Sequence, residues 1–209
     1  MEKIILDEKN LIGVGCHKKC YHHPLDSQKC VEIIYNKEGL KDISWELRYR
    51  HYMTEHPNFD YSMLPGYYGE TETNLGKGYI YELIAQPDGS PCPTFRDYFQ
   101  NMELLTKEEE LLVKLMQQLK QDMLKNEIIT MNITEENIAV QTTTDGKRIR
   151  LLSDLGSSFF LPTDYLFRSV RLNRIKRHWE KMCNKFIELF PSPEVKEFTE
   201  KKSDRETGK

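Results

Sequence analysis

The residue pattern changes in the middle of the chain, at the Pro- and Gly-rich segment 86–91. Before this segment, short apolar and β-branched runs alternate with turn residues, which is typical of antiparallel strands. After it, apolar residues recur mainly at helical spacing. The pattern therefore predicts an α+β protein in two parts, strand-rich over 1–86 and helical over 87–193. A polar tail at 194–209 is expected to be disordered.

Local signals place the elements within each part. Strands are predicted at 10–14, 19–23, 30–35, 63–68 and 78–85, with one helix over 43–56. Two later helices are predicted, one starting at Thr94, which is followed by Asp97, and one at Thr106, which forms a capping box with Glu109. Asn126 is expected to cap the end of the second. A hairpin with its turn at 144–146 and a long helix over 164–190 complete the prediction.

Composition excludes several classes of protein. With 209 residues, 38% hydrophobic and 30% charged, the chain is long enough to bury a core. No run approaches the roughly 18 apolar residues of a membrane-spanning helix, and no secretory signal is readable. Five cysteines, an odd number, fit reduced thiols better than disulfides. We therefore expect a cytoplasmic protein without a membrane span. Its net charge of −3 argues against nucleic-acid binding through the whole surface.

Three sequence segments carry a resemblance to a known family. They are GVGCHKKCY at 13–21, GYIYELIA at 78–85 and ITMNITEENI at 129–138. From about residue 11 to residue 190, the chain resembles the YrbL family of PhoP regulatory network proteins, small bacterial proteins with a kinase-like architecture. Together with the element order, the resemblance implies a compact bilobal protein-kinase-like fold, with an antiparallel-sheet N-lobe and a helical C-lobe. It also implies a role in a PhoP-linked regulatory network.

Gly13 and Gly15 form a Gly-x-Gly turn between the first two predicted strands. Glycines at such a turn let backbone N–H groups approach a phosphate closely, as in the kinase pattern G-x-G-x-x-G. Lys18 stands at the position of the third glycine, and Lys19 follows it. Because an ammonium group here could meet an anion, we expect all four residues to bind nucleotide. An ordinary hairpin turn is the alternative interpretation.

The kinase pattern also pairs a lysine on the third strand with a glutamate on the following helix. Glu46 matches the helix position, but Glu32 stands at the position of the lysine. Two facing carboxylates about 4 Å apart would repel by roughly 4 kcal/mol at an effective dielectric of about 20. Either one carboxyl is protonated, or a cation bridges them, or Lys18, Lys19 or Lys29 reaches in. If the alignment slips by one residue, Glu32 instead faces solvent.

The catalytic loop of kinases reads H-R-D, followed after four residues by a metal-binding asparagine. Here Asn132 stands at the position of the aspartate, and Asn137 has the spacing of the metal ligand. Asn132 has no carboxylate to serve as a base, and loss of a general base typically costs ~10²–10⁴-fold in rate. Asp154, in the segment 153–156, matches the aspartate of D-F-G, although Asp-x-Gly after a strand is also a common turn. Asn137 and Asp154 are therefore the predicted Mg²⁺ ligands.

The segment 81–84 fits the hinge strand, whose backbone groups bind adenine in kinases. The resemblance makes Glu82 and Ile84 candidate nucleotide-binding residues. ATP and Mg²⁺ are the cofactors that follow.

A metal site is a competing interpretation of the first strands. Six residues with zinc-type ligands fall within fifteen positions: Cys16, His17, Cys20, His22, His23 and Cys30. Their spacing matches no common zinc motif, and alternation along strands lets only some of them converge. Free thiols and strand histidines are therefore favoured.

Basic residues are concentrated in the last predicted helix, over 168–181. They are Arg168, Arg171, Arg174, Lys176, Arg177 and Lys181, against the single acid Glu180. Such a stripe could bind an acidic partner, nucleic-acid phosphates or the protein's own acidic groups. A solvated surface is the alternative.

Three functions follow from these features. The first is a degenerate pseudokinase that binds nucleotide and Mg²⁺ and has a signalling role. The second is an atypical small kinase that phosphorylates a small molecule or envelope sugar. The third is a protein-interaction module with an empty cleft, whose basic helix binds an acidic partner. Few residues separate Asp154 from the last helix, and the chain has no A-P-E motif. The usual platform for a protein substrate is therefore missing, which favours the first function.

Overall fold

The computed structural model describes residues 3–153, 155–156 and 166–200. The strands are β1 (Leu11–Val14), β2 (Lys18–His22), β3 (Lys29–Ile34), β4 (Tyr67–Thr73), β5 (Gly76–Glu82), β6 (Ile138–Thr143) and β7 (Gly146–Leu151). The helices are α1 (Lys37–Thr54), α2 (Phe95–Gln100), α3 (Met102–Lys125), α4 (Arg168–Leu189) and α5 (Pro193–Glu200). The described part is a mixed α+β structure, with β1–β5 and α1 before the Pro- and Gly-rich segment.

Strands β1–β5 form one antiparallel sheet in the order β1-β2-β3-β5-β4. One face packs against the N-terminal segment through a buried cluster of Leu6, Tyr21, Val31 and Ile33. The other face packs against α1 through Cys30, Ile43, Tyr79 and Tyr81. Side chains alternate between the faces, and Glu32 is two residues from Cys30 and paired with Tyr79. Glu32 therefore lies on the face that α1 covers.

A single large apolar core holds the rest of the described chain together. From α3 it takes Leu112, Met116, Leu119 and Met123, which recur at helical spacing. From α4 it takes Ile175, Trp179, Met182 and Phe186. The hairpin of β6 and β7 packs at one side of this core, where Ile138, Val140 and Leu151 are buried. This arrangement fixes the loop between α3 and β6 next to α1.

Helix ends follow the sequence signals at some positions and not at others. Helix α2 starts after Thr94 as predicted, where the Asp97 carboxylate accepts a hydrogen bond from the Thr94 backbone N–H at 2.7 Å and forms a capping box, and Asn126 caps α3. The prediction of a helix start at Thr106 is wrong. Helix α3 begins at Met102, because the Asn101 side chain already accepts a hydrogen bond from the Leu104 N–H at 3.1 Å.

The prediction of a disordered tail from residue 194 is wrong for its first residues. Helix α5 spans Pro193–Glu200 and packs against α3 and α4. Val195 is completely buried, and the Ser192 hydroxyl accepts a hydrogen bond from its N–H at 3.1 Å. Val195, the capping hydroxyl of Ser192 and the buried Thr199 thus anchor a segment that is otherwise mostly polar. Residues 201–209 lie outside the described residues.

Candidate functional site

A cavity of about 540 Å³ lies between the sheet, α1 and the loop that joins α3 to β6. Its wall includes the turn between β1 and β2, one face of α1 and part of the loop at 131–137. Six of the residues selected by comparison with the kinase pattern line it: Gly15, Lys18, Glu32, Glu46, Asn132 and Asn137. Residues from both parts of the chain therefore meet at one place.

The turn at Gly15 is fastened to the start of α1. The Asn36 side chain caps α1 by accepting a hydrogen bond from the Gly39 N–H at 2.8 Å, and it donates to the Cys16 carbonyl at 3.1 Å. The Tyr35 hydroxyl donates to the Gly15 carbonyl. A side chain at Gly39 would meet the His17 backbone at 2.9 Å, so only glycine allows this close approach. The turn is thus held in place without a ligand.

Glu32 is bound by a lysine from the neighbouring strand. The Lys18 ammonium lies 2.8 Å from one carboxylate oxygen of Glu32 and 2.9 Å from the other. Glu32 is 9% exposed, which rules out the solvent-facing interpretation. Burial raises the pKa of Glu32, the Lys18 charge lowers it, and Glu46 raises it further. Of the three lysines considered from the sequence, Lys18 is the one that reaches in. Lys29 pairs with Asp26 instead.

Glu46 has its own cation. The Arg50 guanidinium, one turn along α1, donates to Glu46 at 2.8 Å and to the Pro65 carbonyl at 3.1 Å. It also stacks over the rings of Tyr67 and Tyr81. The two carboxylates that the sequence placed in conflict are therefore each neutralised by a separate base. The arrangement differs from the single strand-to-helix ion pair of the kinase pattern.

Tyr49 holds the loop that carries Asn132 and Asn137. Its hydroxyl is fully buried, donates to the Glu127 carbonyl at 3.1 Å and accepts from the Ile129 N–H at 3.0 Å. Because Tyr49 belongs to α1, the position of the loop depends directly on this helix. Burial raises the pKa of Tyr49 far above the ordinary range, so the hydroxyl remains a donor.

Glu127 is a residue that the sequence analysis missed. Its backbone is left-handed, with φ 53°, and its buried carboxylate accepts hydrogen bonds from Arg168 at 2.7 Å and Arg171 at 2.5 Å. The sequence feature that could have drawn attention to Glu127 is its position, a charged residue between the helix cap Asn126 and the apolar pair at 128–129. Two cations of the basic helix therefore bind the protein's own acid, one of the alternatives considered for that stripe.

Four predicted nucleotide-binding residues do not line the cavity: Gly13, Lys19, Glu82 and Ile84. Lys19 is paired with Ile33 and so lies on the opposite face of the sheet from Lys18. The Glu82 carboxylate accepts hydrogen bonds from Arg150 at 2.6 Å and from the Gly66 N–H at 3.0 Å. Burial alone would raise the pKa of Glu82, but the Arg150 guanidinium lowers it. Glu82 thus joins the sheet to the β6–β7 hairpin. Asp154 lies outside the described residues.

Comparison with known proteins identifies the family to which this chain belongs. A family model described as "PhoP regulatory network protein YrbL" matches residues 4–187. The chain belongs to the YrbL family. Among curated YrbL proteins, "Uncharacterized protein YrbL" of Escherichia coli (strain K12) is 33% identical over 183 residues, which covers 85% of each chain. The protein of the same name from Shigella flexneri matches to the same extent.

The zinc interpretation of this YrbL chain finds no support in the geometry. No three His, Cys, Asp or Glu side chains of the described residues are grouped so that they could hold a metal ion. All five cysteines are free thiols, as expected. The His17 ring is occupied by a contact of 3.1 Å with the Asn36 side chain. Of the candidate ligands, Cys20 and Cys30 do come together on adjacent strands, but no third described side chain joins them to complete a site.

The sequence predicts a chain without a membrane-spanning helix, and the helices of the structure can be compared with that prediction. Among the described helices of this YrbL chain, none has the length and apolar character to cross a membrane. This agrees with the mean hydropathy of −0.65.

Proposed function

We propose that this cavity binds a nucleoside triphosphate together with a divalent cation, and that the protein is a regulator in a PhoP-linked network without efficient phosphoryl transfer. One observation carries the proposal. The Lys18 ammonium lies in the wall of a cavity that also contains Asn132 and Asn137. A cleft that binds phosphates needs a positively charged group held at a fixed position in its wall. In the kinase pattern a strand lysine supplies it, and here the neighbouring strand does so.

The order of elements supports a kinase-like interpretation of the fold. Three antiparallel strands, a helix and two more strands precede the Pro- and Gly-rich segment, and a helical part with a short hairpin follows. The proposed nucleotide would lie between these two parts. Gly15 supplies backbone at the turn, and Lys18 supplies the charge.

The donor set fits a divalent cation held partly by phosphate. Asn137 supplies an amide group to the cavity, and Asp154 is its proposed second protein ligand. Mg²⁺ is commonly held by one or two carboxylates together with substrate phosphates and water, so no closed protein cage is needed. When bound, such a cation neutralises phosphate charge.

The side chain at the position of the catalytic base, Asn132, favours a regulatory role over catalytic turnover. The amide of Asn132 cannot take a proton from an acceptor hydroxyl, which costs typically ~10²–10⁴-fold in rate. Positioning and charge carry most of phosphoryl transfer, however. The Lys18 ammonium therefore favours a second candidate, a slow atypical kinase acting on a small molecule or envelope sugar.

Thermal unfolding with ATP, with and without MgCl₂, tests the proposal. A ligand present at about 100 times its dissociation constant should stabilise the protein by ~2.7 kcal/mol. Lys18→Met should lose this stabilisation, whereas Lys19→Met, on the opposite face, should retain it. Asn137→Ala should lose the Mg²⁺ dependence. Equal shifts in the two lysine variants, or no shift in the wild type, would reject nucleotide binding here and leave the interaction module with an empty cleft.

If ATP binds, transfer of the ³²P-labelled γ-phosphate distinguishes the two nucleotide hypotheses. A regulator gives no labelled product above the hydrolysis background. A kinase gives product that disappears in Lys18→Met and persists in Lys19→Met.

A further inference from the structure

Helix α4 carries more positive charge than its contacts within the protein use. Arg168 and Arg171, near its start, bind the carboxylate of Glu127. Arg177 and Lys181, further along, are exposed, and among the described residues neither forms an ion pair. Both lie well before the end of the helix at Leu189, too far from it to stabilise the helix dipole. The fold therefore uses the first two cations and gives the later two no role of their own.

The two later cations share one side of α4 with Arg174. Residues 174, 177 and 181 are spaced by three and four positions, so their side chains are neighbours on the helix surface. Like charges at such spacings repel each other and destabilise a helix. Lys176 is also exposed, but with about 3.6 residues per turn it lies on a different side of α4. We call the surface formed by Arg174, Arg177 and Lys181 the basic face.

His178 shows where the basic face lies in the fold. Its half-buried ring contacts the Thr130 carbonyl at 2.8 Å, in the loop that joins α3 to β6. Burial lowers the pKa of His178, and the positive charges of Arg174, Arg177 and Lys181 lower it further. The three cations therefore act together at one point, beside the loop whose following residues line the cavity.

We propose that the basic face of α4 binds an acidic segment of a partner protein, whose carboxylates pair with Arg177 and Lys181. Carboxylates from a partner would replace the repulsion among these cations by attraction, as arises where surfaces of opposite charge meet. From Arg174 to Lys181 the face is about 10 Å long, at about 1.5 Å per residue, which matches two turns of a partner helix. This interaction goes beyond nucleotide binding and does not depend on it.

Nucleic acids and anionic membranes fit this face less well. A duplex carries phosphates over a long surface, and the net charge of −3 would repel those that lie beyond the basic face. A helix that binds a membrane surface needs apolar side chains next to its cations. In the described part of the chain, the exposed large apolar side chains near α4 are Leu166, Phe167 and Leu189, which lie at its two ends. A short acidic protein segment needs neither a long basic surface nor an apolar anchor.

Fluorescence anisotropy of a labelled hexaglutamate peptide, titrated with the full chain, tests this surface. At about 150 mM NaCl, charges more than about 8 Å apart are largely screened, so the cations that touch the peptide dominate. Arg177→Gln and Lys181→Gln should each weaken binding about two- to fivefold, as expected for exposed ion pairs. The matched control is Lys176→Gln, which removes an exposed charge from another side of the same helix and should leave the affinity unchanged.

Nuclear magnetic resonance locates the contact on the protein. Hexaglutamate should shift the ring signals of His178, which lies among the three cations, and leave those of His51, an exposed histidine of α1, in place. Absence of hexaglutamate binding, or equal weakening by Lys181→Gln and Lys176→Gln, would overturn the proposal and leave a solvated surface. Tighter binding of an oligothymidine or of phosphatidylserine vesicles, lost in Lys181→Gln, would assign the basic face to nucleic acid or to a membrane instead.

Discussion

The ammonium nitrogen of Lys18 lies 2.8 Å and 2.9 Å from the two carboxylate oxygens of Glu32. Lys18 is on β2 and Glu32 on β3, so the pair joins adjacent strands at the floor of the cavity. Without Lys18, Glu32 would be a buried carboxylate that has lost its ion-pair partner. Their contact makes an acid at this position compatible with a cation in the cleft.

Lys18→Met should therefore destabilise the protein as well as weaken ligand binding. We expect a loss of about 2–3 kcal/mol in the free energy of unfolding, slightly below the ~3–5 kcal/mol of a fully buried pair, because the Lys18 side chain is 29% exposed. Adding Glu32→Gln should recover most of the loss. Urea unfolding followed by circular dichroism measures both, with Lys19→Met as control. A double variant no more stable than Lys18→Met would contradict this pairing.

The Glu32 carboxyl should also give the stability a characteristic pH dependence. Burial raises its pKa above the ordinary value of 4.5, so the folded state favours the protonated form. Below pH 4.5 the carboxyl is protonated in both states, and the full benefit is present; as the pH rises through the raised pKa, that benefit is lost. The unfolding free energy of the wild type minus that of Glu32→Gln should therefore fall as the pH rises from 4.5. A flat or rising difference in urea titrations would contradict the assignment.

Tyr49→Phe should loosen the loop below the cavity. It removes the partner of the Glu127 carbonyl and of the Ile129 N–H, both within the buried core. We expect a cost of about 2–4 kcal/mol, from two unsatisfied buried groups. Tyr61→Phe is the matched control, since the Tyr61 hydroxyl is buried without a hydrogen bond in the described structure. Amide exchange at Ile129 should speed up in Tyr49→Phe alone; similar exchange in both variants would refute the role of this hydroxyl.

The two arginines that bind Glu127 should differ in their contribution to stability. The Arg171 side chain is 10% exposed and that of Arg168 is 65% exposed. Arg171→Gln should cost about 3 kcal/mol, as expected for a buried pair. Arg168→Gln should cost less than about 1 kcal/mol, as for exposed pairs. Chemical denaturation of the two variants measures the difference, and similar costs would show that burial does not control this cluster.

Glu82→Gln separates a structural from a nucleotide-binding role. Arg150 is 2% exposed and would lose its charged partner, so thermal stability should fall by several degrees. The additional stabilisation by ATP should be unchanged, because Glu82 does not line the cavity. Loss of the ATP effect in a variant that remains folded would instead assign Glu82 to the nucleotide site.

The sequence alone determined the α+β class, the succession of strands and helices as far as α4, the capping role of Asn126 and the membership of the YrbL family. These features are encoded locally, in periodicity, turn residues and short motifs, and can be read without knowing what each side chain contacts. They also selected Gly15, Glu46, Asn132 and Asn137, which the fold brings to one cavity.

Only the tertiary structure decided which partners these residues have. The lysine that reaches Glu32 is fixed by the register of β2 on β3, and the partner of Glu82 is fixed by the packing of the distant β6–β7 hairpin. Glu127 gains its importance from arginines more than forty residues later in the chain. Val195 orders a polar segment because a core built from other helices receives it. Such contacts depend on register and long-range packing, which local residue patterns do not specify.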